Sequence, residues 1–102
     1  MGDLQRAVAR FAERHGLQHG IETYALDLVA EVGELAKEIL LATDYGRRPV
    51  SFRQELTDEV GDVVYSLLAL AEACGVDAEE ALRASLSKYE RRLADRREAG
   101  SP

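Results

Sequence analysis

The sequence predicts an all-α fold, a bundle of four helices. Three observations carry that expectation. Apolar residues recur at helical spacing over four segments, with no strand-like alternation. Glycine, proline and polar residues separate those segments. The composition, 46% hydrophobic and 31% charged, is that of a helical globular domain. A chain of 102 residues makes one domain, read here as residues 1–98 with a frayed tail, AGSP, at 99–102. A domain of this size buries only a modest core by itself, so help from a partner chain is expected.

The first helix is expected from about Asp3 to His15, with Leu4, Val8 and Phe11 on its apolar side and Gly16 as its stop. The second runs from about Thr23 to Ala42. TDYGRRPV, residues 43 to 50, contains glycine and proline and reads as a loop. Ser51 followed by Gln54 reads as a capping box opening the third helix, which stops near Gly75. Asp77 is expected to cap the fourth, whose spine is Leu82, Leu86, Tyr89 and Leu93 and whose last turns near Arg97 are basic.

At about 100° per residue, Asp27, Glu31, Glu34 and Glu38 fall on one stripe of the second helix. Glu55, Glu59, Asp62 and Ser66 make the matching stripe of the third, and an apolar spine lies beside each. The phrase acid, Val, Gly, acid occurs in both, as EVGEL from Glu31 and EVGDV from Glu59. A short loop folds two such helices back antiparallel. Glu31 with Glu34 and Glu59 with Asp62 then lie about equally far from the turn, roughly 14 Å along each helix, and face each other at one level. Gly33 and Gly61 occupy equivalent angular positions, where they suit a close helix contact, between these two helices or elsewhere.

A solvated outer face is the usual meaning of charge on a helix. Such a face mixes signs at i and i+4, whereas these stripes carry no lysine or arginine. Four convergent carboxylates need compensation, and a hard divalent cation with oxygen ligands supplies it. Magnesium fits, since it binds through carboxylates, waters and substrate phosphates. Zinc does not: the two histidines, His15 and His19, lie together near the first turn. The formal charge of −6 argues against nucleic-acid and membrane-surface partners. The single cysteine, Cys74, reads as a structural thiol, and with no signal-like or membrane-spanning run the expectation is a cytoplasmic protein.

Embedded as EVGELAKEI and ELTDEVGDVVYSLLALA, and followed by KYERRL, the two motifs resemble the ExxE…ExxD signature of the MazG-like, all-α nucleotide pyrophosphohydrolases. The resemblance covers Tyr24 to Arg92. It implies a MazG-like bundle completed by oligomerisation, a dimer or tetramer, and cleavage of a (deoxy)nucleoside triphosphate between its α and β phosphates to monophosphate and pyrophosphate. Carried over by position, Glu31, Glu34, Glu59 and Asp62 are the ligands of magnesium, with manganese as a substitute. Glu31 also orients or deprotonates the attacking water, and Lys88, with Arg92, contacts substrate phosphates.

The sequence departs from the family in three places. Ala30 stands where relatives carry a second glutamate, Leu86 stands where an asparagine is common, and tryptophan is absent. Base stacking then falls to Tyr24, Phe11 or Tyr45. Two alternatives remain. One is a phosphoribosyl-ATP pyrophosphohydrolase, in which the position of Glu31 tends to be lysine; the other is a non-catalytic helical interaction module.

Overall fold

The computed structural model describes residues 2–51 and 53–100, with side chains through Arg97. It contains four α-helices and no strand among the described residues: α1 (Asp3–Arg14), α2 (Ile21–Ala42), α3 (Gln54–Ala73) and α4 (Ala78–Gly100). α2 begins two residues earlier than the periodicity predicts. α4 continues through Ala99 and Gly100, the first half of the expected frayed tail; Ser101 and Pro102 lie outside the described residues.

The first three helices end in one hydrogen-bonded pattern, in which the two residues after the cap bond back to carbonyls of the last turn. At the end of α1, Leu17 N–H donates to Ala12 O and Gly16 N–H to Glu13 O. Val76 with Ala71 and Gly75 with Glu72 repeat it after α3. The pattern needs a left-handed residue, and Gly16 (φ +65) and Gly75 (φ +70) provide one without strain. After α2 the same place is filled by Asp44 (φ +46), which sequence reading does not single out. Tyr45 N–H then donates to Leu40 O at 2.7 Å.

Helix starts divide between expectation and correction. Asp77 caps α4 as expected, its Oδ1 accepting from Glu80 N–H at 3.1 Å. The capping box at Ser51 does not form. Ser51 N–H donates to Ala42 O, which ties it to the end of α2, and α3 starts after Arg53, whose side chain makes no cap bond. Glu55 in the first turn takes the electrostatic role instead. Its carboxyl is held below the ordinary range by its own backbone N–H first, and by Arg53 second.

α2 and α3 form an antiparallel hairpin, the most extensive packing in the chain, and α1 packs on α3. α1 is rotated from the side its apolar spacing predicts: Val8 is partly buried and Phe11 meets Tyr65 of α3, but Leu4 is 71% exposed and the buried positions are Gln5 and Ala12. Gln5 is held there by polar chemistry. Its Nε2 donates to Glu72 Oε2 (3.0 Å) and Val76 O (2.8 Å), and its Oε1 accepts from Ala78 N–H (2.8 Å). One amide thereby joins α1 to the end of α3 and the start of α4.

Among the described residues the buried hydrophobic ones are all alanines, Ala12, Ala42, Ala69 and Ala71. Leu26, Val29, Leu82, Leu86 and Tyr89 remain half exposed or more. α4 does not pack along α2 or α3. A Cβ built on Gly33 or Gly61 meets nothing within 4 Å, so these glycines do not serve α2–α3 packing.

Candidate metal centre

The antiparallel register decides which acids meet. One carboxylate oxygen each from Glu31, Glu59 and Asp62 lie within 4.8 Å of one another. Glu31 and Glu59 are partly buried and Asp62 is exposed. The donor set is oxygen alone, three carboxylates with no histidine or thiol, and suits a hard divalent cation. Glu34 is outside this trio, exposed on the next turn of α2. Its charge still reaches Glu59.

Glu59 reports the crowding. Its carboxyl is raised above the ordinary value, first by desolvation and then by the charges of Asp62, Glu31, Glu34 and Glu38. The same register carries the acid stripe one step further toward the turn, where Glu38 of α2 comes to the level of Glu55 of α3. Between them stands the cation that stripe spacing does not reveal. Arg53 Nε lies 3.1 Å from Glu38 Oε1 and 3.3 Å from Glu55 Oε2. The Glu38 side chain is only 7% exposed, and its Oε1, though ion-paired, has no hydrogen-bond donor among the described residues.

Lys88 and Arg92 are not brought to the carboxylates within one chain. Both are exposed on α4, roughly 15 Å or more along that helix from its start. Lys88 Nζ lies 5.2 Å from the centroid of the neighbouring Tyr89 ring.

On the far side of the trio from the loop, a cleft of about 470 Å³ opens between α1, the first turn and the end of α3. Glu13, His19, Tyr24, Ala69 and Glu72 help to line it. Tyr24 fixes one wall: its hydroxyl donates to Leu17 O and accepts from His19 N–H, both at 3.0 Å, and the His19 ring meets it edge-on at 5.7 Å. Phe11 contacts His15 and Tyr65, and Tyr45 is exposed in the loop after α2.

A helical hairpin that gathers carboxylates from two facing acid motifs defines an all-α protein with an acidic centre of oxygen donors. The chain belongs to the MazG nucleotide pyrophosphohydrolase domain family, which it matches over residues 19–96. It is 38% identical over 96 residues to dCTP pyrophosphatase 1 of Homo sapiens, a match covering 88% of this chain and 56% of that one. It is 31% identical over 102 residues to the uncharacterized protein YvdC of Bacillus subtilis, covering 91% and 95%. The crystal structure of YPJD from Bacillus subtilis has the same fold, with a TM-score of 0.68, 29% identity and coverage of 87% of this chain and 91% of that one. The chain spans about half the length of the dCTP pyrophosphatases it matches.

Proposed function

We propose that the protein is a magnesium-dependent pyrophosphohydrolase that cleaves (deoxy)nucleoside triphosphates between the α and β phosphates, giving the monophosphate and pyrophosphate, in a nucleotide-sanitising role. The observation that carries this reading is the convergence of Glu31, Glu59 and Asp62, from the two motifs that define the family resemblance. Glu31, Glu59 and Asp62 hold the cation, with Glu34 supporting from the adjacent turn. These carboxylates would hold magnesium, or manganese in its place, which would supply neutralisation of phosphate charge and a more acidic water. Glu31, partly buried and close to Glu59 and Asp62, would orient or deprotonate the attacking water.

The cleft suits the nucleoside end of the substrate. Tyr24 precedes Glu31 by two turns of α2 and Ala69 follows Asp62 by two turns of α3, which puts the cleft roughly 10 Å from the carboxylates. That is about the reach of a nucleoside from its own phosphates. Tyr24 and His19 offer ring faces and edges for a base, in a chain without tryptophan.

Lys88 and Arg92 complete the phosphate site from a second copy. An α4 that packs on neither α2 nor α3, and apolar side chains left half exposed on all four helices, support a homo-oligomer. No helix among the described residues is long and apolar enough to cross a membrane.

Chromatography of the products from a panel of nucleoside triphosphates, with phosphoribosyl-ATP included, tests the reaction. Monophosphate and pyrophosphate are expected. Release of diphosphate and orthophosphate would overturn the reading, and exclusive turnover of phosphoribosyl-ATP would assign the substrate to the related activity.

A further inference from the structure

The acid stripe of α2 does not end with the metal trio. One turn beyond Glu34 it reaches Glu38, which is buried, whereas Glu34 is exposed. A buried carboxylate demands a counter-charge, and losing its partner is more damaging than never having had one. Arg53 is the counter-charge found here, and it is shared with Glu55. It stands at the N-terminal boundary of α3 and grips one acid from each of the two helices that supply the trio.

The position matters because Glu38 lies on the same stripe of α2 as Glu31, one turn beyond Glu34, and Glu55 lies one turn before Glu59 on α3. Without Arg53, Glu38 and Glu55 would be two free carboxylates at one level, next to Glu34, with a buried oxygen that has no hydrogen-bond donor. That is a competing seat for a divalent cation, one turn nearer the loop. We infer that Arg53 is a positioning residue for the metal centre: by keeping Glu38 and Glu55 as its own counter-ions, it withdraws that level of the acid ladder from metal binding and leaves the cation to Glu31, Glu59 and Asp62. The inference rests on the proposed function, and it assigns Glu38 as the anchor of Arg53 rather than as a further metal ligand.

The test is a manganese titration of the chelator-treated full chain, followed by electron paramagnetic resonance of the free ion, with kcat and KM measured in magnesium on the same samples. Arg53→Gln is expected to bind one more equivalent of manganese per chain than wild type, and to lose about tenfold or more in kcat with a smaller change in KM. Arg53→Lys, which keeps the charge, is expected to retain the wild-type stoichiometry. Adding Glu38→Gln to Arg53→Gln removes the competing acid, so the extra equivalent should vanish and kcat recover. A purely structural Arg53 would lower stability and activity without adding a manganese site, and that outcome overturns the inference. A double variant no better than Arg53→Gln overturns it as well.

Glu38→Gln alone covers the case in which Arg53→Gln does not fold. It should leave manganese affinity within about threefold of wild type, whereas loss of a true ligand weakens affinity by about tenfold or more. If wild type itself binds no manganese that Asp62→Asn removes, the metal-centre reading has failed, and that result is distinct from a wild-type site that binds while Arg53→Gln changes nothing.

Discussion

A carboxylate oxygen of Glu31 on α2 and one of Asp62 on α3 lie within 4.8 Å of each other, and Glu59 joins them. Carboxylates this close repel one another, and among the described residues the trio has no basic partner: Arg53 stands one level away with Glu38 and Glu55.

If a catalytic cation offsets that repulsion, the trio should be indispensable and Glu34 less so. Asp62→Asn and Glu59→Gln are expected to abolish measurable turnover while circular dichroism stays helical. Glu34→Gln, outside the trio, should reduce metal affinity by about tenfold to a hundredfold. Wild-type rates in Asp62→Asn would mean that the centre is misplaced.

Acid should act on the metal-free fold with a definite sign. The Glu59 carboxyl is raised in the folded protein, so the native state binds its proton more tightly than the unfolded chain does. Its favourable contribution is complete below the ordinary carboxylate value and is lost as the pH rises through the raised one. Melts in chelator between about pH 4 and pH 7 should therefore show wild type losing stability relative to Glu59→Gln as the pH climbs. The opposite slope in that difference would contradict the repulsion described here.

Gln5 offers a test of the fold that is independent of the site. Gln5→Leu keeps the volume but strands Ala78 N–H, Val76 O and the Glu72 carboxylate in a partly buried junction. A loss of about 2–4 kcal/mol is expected by chemical denaturation. A change under about 0.5 kcal/mol, the usual size for a surface position, would show that the junction does not hold α1 and α4 in place.

The glycines test assembly. Within one chain Gly33→Ala and Gly61→Ala have room for the added methyl and should gain about 0.5–1 kcal/mol of helix stability. If a second copy closes on these faces, the same methyl is in its way, and sedimentation should show weaker self-association despite the better helix former. A wild-type monomer at micromolar concentration would contradict the oligomer.

The local grammar of this chain was legible in its sequence, and its long-range polar contacts were not. Glycine stops at Gly16 and Gly75, the Asp77 cap and the matched acid motifs follow from spacing and backbone chemistry that act within a few residues. The placement of Gln5 does not, because a glutamine on a helix reads as surface until the α3–α4 turn presents it with a carbonyl and an N–H. Glu38 was visible as one more acid in a stripe, but its burial depends on Arg53 arriving from across the loop. Ser51 misled because its sequence suits a cap, while its N–H is already committed to Ala42 O.

Binding of a divalent cation by Glu31, Glu59 and Asp62 is tested most directly by paired thermal melts of wild type and Asp62→Asn, each in chelator and in millimolar magnesium. Magnesium should raise the wild-type midpoint, by the equivalent of about 2.7 kcal/mol at a hundredfold excess over Kd. Asp62→Asn should melt no lower than wild type in chelator, since one repulsive charge is gone, and should lose most of the magnesium gain. An identical response to magnesium in the two proteins would contradict the account and return both stripes to the status of solvated helix faces.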